Sequence, residues 1–482
     1  MRRALLALGL VACSPGGKSG ADRPIEMLVA NDAETLDPRY ATDAVALRTT
    51  RLVHAGLVRL NAQTLVPEPY LAKSWTWEDE RTLRVELRTD VKFHSGAPFG
   101  PRDVAATIDA FQSPKVASRH ARVVEDIGAV NIVPGSDAVR FVLKRAHATL
   151  LTDLEIPILR ADEAAAPPRL DGSLDGLGPF QVSAREAGAI MLAPADHAAL
   201  PRPAHAVTIR TVHDENARAL RMHAGRADLV VNGFSPTLLP SMATAPGVSV
   251  VARPGANLTY MLVQSERAGA PHGATISRAI DRKRLAATLF AGHATEATTV
   301  LPETLWAHSA PDGPLPAARD RIDPPVHLTL LTSTDRFRLT VARQIAQDLA
   351  RVGIELEVIP LELGTMLARL NAGDFDLATL QMPEITEPNV LRFFLHSSNV
   401  PPAGANRGRL RDAQVDTLLD RAAAERDPAT RKEIYAELEH VLRDRALFLP
   451  LWHEDQIAVT SARASGFSPS AEGRWLDLAA LR

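Results

Sequence analysis

A single cysteine, Cys13, stands in 482 residues. One thiol excludes an internal disulfide framework and a zinc site built on several cysteines. Aromatic side chains make up only 5% of the chain, which argues against an aromatic-lined sugar groove. Neither charge sign dominates, since 54 Lys and Arg face 57 Asp and Glu for a formal net charge of −3. With no basic tail, nucleic acid is not an expected partner. The apolar run from Ala4 to Ala12 falls far short of the roughly 20 residues that a spanning helix requires. Signatures of catalysis are also missing: there is no GxSxG, no phosphate-binding glycine loop and no cysteine nucleophile beyond the N-terminus. An enzyme is therefore not expected, and no cofactor is implied. The fifteen histidines form no HExxH and no tight HxH cluster, so they read as scattered surface residues and no metal site is expected.

What is present begins at the N-terminus, where Arg2 and Arg3 precede that apolar run and Cys13 follows it. This pattern reads as an export signal. Leu10-Val11-Ala12-Cys13 resembles the lipobox of bacterial lipoproteins, which implies lipidation of Cys13 and an envelope location anchored to a membrane. Two or more acyl chains suffice for stable anchoring where one does not. Residues 1–13 are thus the expected signal, and 14–24, rich in Gly, Ser and Lys, the expected flexible tether.

The composition beyond the tether, 46% hydrophobic and 23% charged, is that of a folded protein. Its length suggests two or three domains. Val326, Leu328 and Leu330 alternate as in a strand. Leu339, Val341, Ile345, Leu349 and Val352 then recur at helical spacing, and Ile354, Leu356 and Val358 alternate again. Gly353 sits where a left-handed cap is wanted. A short helix through Met366, Leu367 and Leu370, a turn at 371–374 and a strand from Phe375 to Gln381 complete a βαβαβ unit. Such strands pair in parallel with right-handed crossovers, giving an α/β lobe. Ligands of open parallel sheets bind beyond the carboxyl ends of the strands, which points to the loops 332–335 and 382–389. The first half, with short strand-like pieces such as 82–87 and 138–143, reads as α+β.

Several blocks in order resemble the family 5 extracellular solute-binding proteins, the dipeptide-, oligopeptide- and nickel-binding class of bacterial ABC importers. They are Leu36-Asp37-Pro38, Ala55-Gly56-Leu57-Val58, 67–77 (PEPYLAKSWTW), 87–104 (LRTDVKFHSGAPFGPRDV), Gly178-Pro179-Phe180, 276–292, and Gly373-Asp374-Phe375-Asp376-Leu377. The resemblance spans nearly the whole mature chain. It implies an α/β, two-lobed periplasmic-binding-protein-like (type II) fold with a small α+β domain inserted in the N-terminal lobe. The expected boundaries are 25–51, 173–253 and 455–482 for a discontinuous N-terminal lobe, 52–172 for the insert, and 254–454 for the C-terminal lobe. The implied function is capture of a short peptide by hinge closure and its delivery to permease subunits, by a monomer. An opine, a nickel chelate or a saccharide as ligand, and a peptide sensor or chaperone uncoupled from transport, are the alternatives.

In peptide-binding relatives an aspartate in the loop after the third strand pairs with the peptide's α-ammonium group. Counting back from Glu387-Pro388 puts Glu384 at that position. The departures are the longer glutamate itself, Pro383 before it, and Gln381 where relatives commonly carry tryptophan. Gln381 and Glu384 are thus candidate ligand-binding residues. The resemblance adds Tyr260, on the strand entering the C-terminal lobe, and Asn406, before the helix that begins near Asp412. Trp75, Trp77 and Trp452 read as core or lobe interface.

Overall fold

The computed structural model describes residues 23–196, 200–310 and 320–482. The signal, Cys13 and most of the tether lie outside the described residues. The folded body begins at least as early as Arg23, inside the span expected to be tether. The Arg23 guanidinium makes a fork of 2.8 and 2.9 Å to Asp228, a buried carboxylate. A fixed partner of opposite charge holds this residue against the body.

Strand pairing divides the chain by segment. One seven-stranded sheet is built from pieces far apart in sequence. Ile25–Val29 lies at its centre, parallel to Val207–Thr211 on one side and Leu229–Val231 on the other. Antiparallel strands extend both flanks: Ala189–Pro194 and Phe180–Glu186 on one, Gln456–Ser461 and Val248–Arg253 on the other. Ile25, Met27, Ile209 and Leu229 form the core of this lobe with Phe180 and Trp475. The helix Ala44–Val53 packs here, started by the Asp43 side chain, which accepts from the Ala46 N–H at 2.8 Å.

Residues between these pieces fold separately. Ala72–Trp77, Thr82–Leu87, Ala138–Leu143 and Ile127–Ile132 pair antiparallel in that order. Every second residue of Thr82–Leu87 is buried, the pattern of a sheet with one covered face. The helix Pro101–Gln112 supplies Val104, Ile108 and Phe111 to that core.

The C-terminal lobe carries the wound unit. Val326–Ser333 runs parallel to Ile354–Leu361 through eight residue pairs and to Leu377–Met382 through two. The helices Arg336–Ala350 and Leu363–Ala372 make the crossovers. Gly373 closes the second helix at φ 76°, a conformation that costs glycine little. Gly353 is also left-handed, at φ 79°, but stands beyond the last turn of the first helix. The lobe is not purely parallel. The fully buried Leu258–Val263 pairs antiparallel with Leu377–Met382 and with Phe448–Glu454.

The lobes are joined where Val248–Arg253 leads into Leu258–Val263 and where Phe448–Glu454 leads into Gln456–Ser461. The Asn257 amide bridges the two crossings, donating to the Glu454 carbonyl at 2.7 Å and accepting from the Glu454 N–H at 2.8 Å. A Cβ at Gly255 would stand 2.2 Å from the Glu454 carbonyl oxygen, so only glycine permits this approach.

Candidate functional site: the interlobe cleft

Two compartments occupy the space between the lobes. The larger, about 1030 Å³, lies beside the crossings; the other, about 720 Å³, is enclosed by the N-terminal lobe, the inserted domain and the C-terminal lobe together. Both sizes are of the order of small-ligand sites, roughly 300–1,000 Å³. They are called here the hinge-side and the three-domain compartment.

The loop after Leu377–Met382 faces both. Its course is set by two buried anchors. Ile385 is fully buried and its N–H donates to the Ala256 carbonyl at 2.7 Å. Glu387 accepts from Arg431 at 2.6 Å; burial raises its pKa while Arg431 opposes the rise. Glu384, Thr386 and Glu387 line the three-domain compartment, while Ile385 points into the core. There the Glu384 carboxylate meets Arg51 of the helix Ala44–Val53 at 3.3 Å, an ion pair that crosses between lobes.

Arg119, from the inserted domain, lines the same compartment. Among the described residues it has no hydrogen bond or ion pair to an acidic side chain. Desolvation in the recess lowers its pKa, with further lowering by Arg51 and partial relief from Glu384. Its backbone is held firmly. The Arg119 N–H donates to the Arg39 carbonyl at 2.9 Å. The neighbouring His120 ring contacts the Pro38 carbonyl at 3.0 Å and stacks on Phe111 at 4.9 Å. Burial drives the His120 pKa down to about 3. Arg39 is itself locked, with Nε and Nη2 on the two oxygens of Asp37 at 2.9 and 2.6 Å and Nη1 on the Ala166 carbonyl at 2.6 Å. The Leu36-Asp37-Pro38 block therefore fixes the loop that presents Arg119.

The mouth of this compartment is bridged. The Ala148 N–H donates to the Ala423 carbonyl at 3.1 Å, Arg426 donates to the Asp79 carbonyl at 3.2 Å, and the Arg122 guanidinium lies 4.0 Å from the Phe393 ring centroid. Each joins the inserted domain to the C-terminal lobe.

Gln381 falls in the hinge-side compartment, away from Glu384. Its Oε1 accepts from Arg338 at 3.2 Å. Arg338 in turn holds Glu454 through contacts of 2.7 and 3.1 Å, and Thr259 and Trp452 donate to the same carboxylate at 2.8 and 3.3 Å. Burial pushes the Glu454 pKa up, but Arg338, Thr259 and Trp452 together outweigh it and the net shift is downward. Glu454 is the hub of this network, and the exposed Gln381 reaches it only through Arg338.

Two expected ligand residues are core residues instead. Tyr260 is 2% exposed and stacks on Phe448 at 4.3 Å, because its strand is covered on both faces. Asn406 is 1% exposed. Its amide donates to the Leu395, His396 and Leu410 carbonyls at 3.1, 3.1 and 2.8 Å, and its oxygen accepts from the Leu410 N–H at 3.0 Å. Both N–H hydrogens of its amide are spent inside its own loop. Trp452 is fully buried, while Trp75 and Trp77 pack on the insert's core, Trp77 also beneath Arg426 at 4.8 Å. Among the described residues no three His, Cys, Asp or Glu side chains group as metal ligands, and no helix is long and apolar enough to cross a membrane.

The family of bacterial extracellular solute-binding proteins, family 5, matches residues 66–401. The chain belongs to this family. It is a family 5 solute-binding protein of ABC importers. The glutathione-binding protein GsiB of Escherichia coli (strain K12) is 24% identical over 496 residues, covering 97% of this chain and 96% of the relative. Among solved structures, NikA from Brucella suis in complex with Fe(III)-EDTA has TM-score 0.82 and 22% identity, covering 96% of this chain and 100% of that one. The oligopeptide-binding protein AppA from Bacillus subtilis with a nonapeptide has TM-score 0.78 and 17% identity, covering 95% and 99%. These two share the fold. The two-lobed type II reading of the sequence agrees with them. The relatives are solute-binding proteins that work with ABC permeases, and family members are periplasmic.

The sequence reading missed Arg51, Arg119 and His120. A signal existed for Arg119, because Arg119-His120 sits in a turn-rich stretch just past a helix that ends on a predicted insert domain. Nothing in periodicity, however, told that this loop faces the cleft.

Proposed function

We propose that this protein captures a short peptide in the three-domain compartment and hands it to an ABC permease, without catalysis. One observation carries the reading: Arg119 lacks an acidic partner beside a cross-lobe pair, Arg51–Glu384, that a zwitterion can replace. The peptide carboxylate takes Arg51 and Arg119, and Glu384 turns to the α-ammonium group. Charge-assisted hydrogen bonds in a recessed site are strong enough to select such a ligand. The relatives named for glutathione and for a nonapeptide support peptide as the ligand class. Because Arg51 and Glu384 belong to different lobes, a ligand that engages both stabilises closure about the Asn257–Glu454 crossings. Lipidation of Cys13 keeps the monomer at the membrane near its permease.

Calorimetric titration with trialanine and N-acetyl-trialanine tests this. Glu384→Gln is expected to weaken trialanine by about tenfold, 1.4 kcal/mol, and to leave the acetylated peptide unchanged. If neither peptide binds the unaltered protein, the peptide reading fails. If both bind and Glu384→Gln changes neither, the ammonium role of Glu384 fails.

A further inference from the structure

Behind the three-domain compartment lies a cavity of about 310 Å³. The two share Arg51, His54, Glu155 and Arg474 as walls. Arg474 and Glu155 form an ion pair between them. The rear cavity is walled by Arg51, by the inserted domain, by Leu200 and Pro201, and by the C-terminal segment; among the described residues none of the C-terminal lobe lines it. It therefore persists when the lobes separate.

Charged side chains line it, already engaged: Arg59 with Glu68, Arg474 with Glu155 and Glu472, Arg51 with Glu384, Asp477 with the Ser468 N–H and Arg482 with the Arg202 carbonyl. Val58, Leu60, Tyr70, Leu200, Leu476 and Ala479 make most of the surface apolar. Against it stand two buried polar groups with unused hydrogen-bonding capacity. His54 is 3% exposed, and among the described residues neither ring nitrogen has a hydrogen-bond partner. Glu472 is 2% exposed and its Oε2 has none either. Leaving such groups unsatisfied costs about 1–3 kcal/mol each, so native proteins retain them chiefly where something else satisfies them. Burial lowers the His54 pKa to about 3, so its imidazole is neutral near pH 7, and raises that of Glu472 to about 7.

We infer that the rear cavity is a second subsite, which takes the uncharged, amphipathic end of a ligand. The occupant has an aliphatic or aromatic body and one neutral group, an amide or a hydroxyl, that both donates and accepts. The His54 imidazole supplies one donor and one acceptor to it. A carboxylate or an ammonium is disfavoured at the His54 end, where a neutral imidazole and side chains already paired with one another do not repay the loss of its hydration. The Arg474–Glu155 pair separates this end from the charged end in front.

The test does not use a peptide, so it stands apart from the peptide reading. Isovaleramide, isovalerate and isoamylamine share a carbon frame and differ in charge. Each is titrated into the mature protein, with the ring nitrogens of ¹⁵N-labelled His54 observed by NMR. Isovaleramide is expected to shift the His54 resonances saturably, at least tenfold more tightly than the anion or the cation. Ala62→Phe and Ala480→Phe, at exposed wall positions, are expected to weaken the amide about tenfold while leaving the thermal midpoint unchanged. His54→Phe is expected to fold, to be no less stable, and to lose the amide. Equal binding of all three probes, no saturable shift, or amide binding unaltered in both wall variants would overturn the subsite.

Discussion

The hinge-side and the three-domain compartments are lined by similar residue types, and Arg338 in the first contrasts with Arg119 in the second, although Arg48 on the hinge side also keeps a buried Nε without a hydrogen bond. Beside the crossings, Arg338, Glu454, Gln381 and Thr259 use one another. In the three-domain compartment, Arg119 pairs with no acid among the described residues, and Arg51 reaches Glu384 across lobes. An arginine whose hydrogen bonds are spent on its own lobe builds that lobe. An arginine without a local acid is available to a ligand. Hence the deciding property is not the presence of charge in a cleft but whether the charge is already used.

The largest effect expected lies in the core of the C-terminal lobe. Tyr260→Ala removes a fully buried ring and is expected to lower unfolding stability by about 4 kcal/mol, measured by urea denaturation, while the folded fraction keeps its ligand affinity. A loss of affinity at unchanged stability would return Tyr260 to the cleft. Arg338→Ala comes next. It leaves Glu454 without its cation and is expected to cost about 2 kcal/mol with affinity nearly unchanged; the reverse pattern would exchange the roles of the compartments. A separate effect is a pH slope. His54 and His120 both have folded pKa values of about 3, below the unfolded value near 6.5. Their contribution is whole above pH 6.5 and is lost as pH falls toward 3, because the unfolded chain takes up the protons first. Each histidine adds up to about 1.4 kcal/mol per pH unit. Urea midpoints at pH 7, 6 and 5 should fall accordingly, less steeply in His54→Phe.

The wound unit was legible because its periodicity is local. Val326–Ser333, Arg336–Ala350, Ile354–Leu361 and Leu377–Met382 follow the alternations and the helical stripe within a few residues. The strand-end rule led to the loop holding Glu384 and, at 332–335, to Asp335 on the hinge side. Tyr260 misled because six consecutive buried residues leave no alternation to tell an inward face from a cleft face. Asn406 misled because a polar residue that clasps its own loop looks, in sequence, like one waiting for a ligand. Arg51 and Arg119 escaped notice because their meeting depends on packing between elements far apart in the chain. Arg23, expected in the tether, was caught by Asp228, more than two hundred residues away.

The most direct measurement is native mass spectrometry of the protein purified without added ligand, run beside Arg119→Ala. The account predicts adducts with the masses of short peptides on the unaltered chain, reduced about tenfold or more in Arg119→Ala, with both proteins unfolding within ~0.5 kcal/mol of each other. Peptide adducts undiminished in Arg119→Ala, or a bare mass that no peptide mixture shifts, would contradict it.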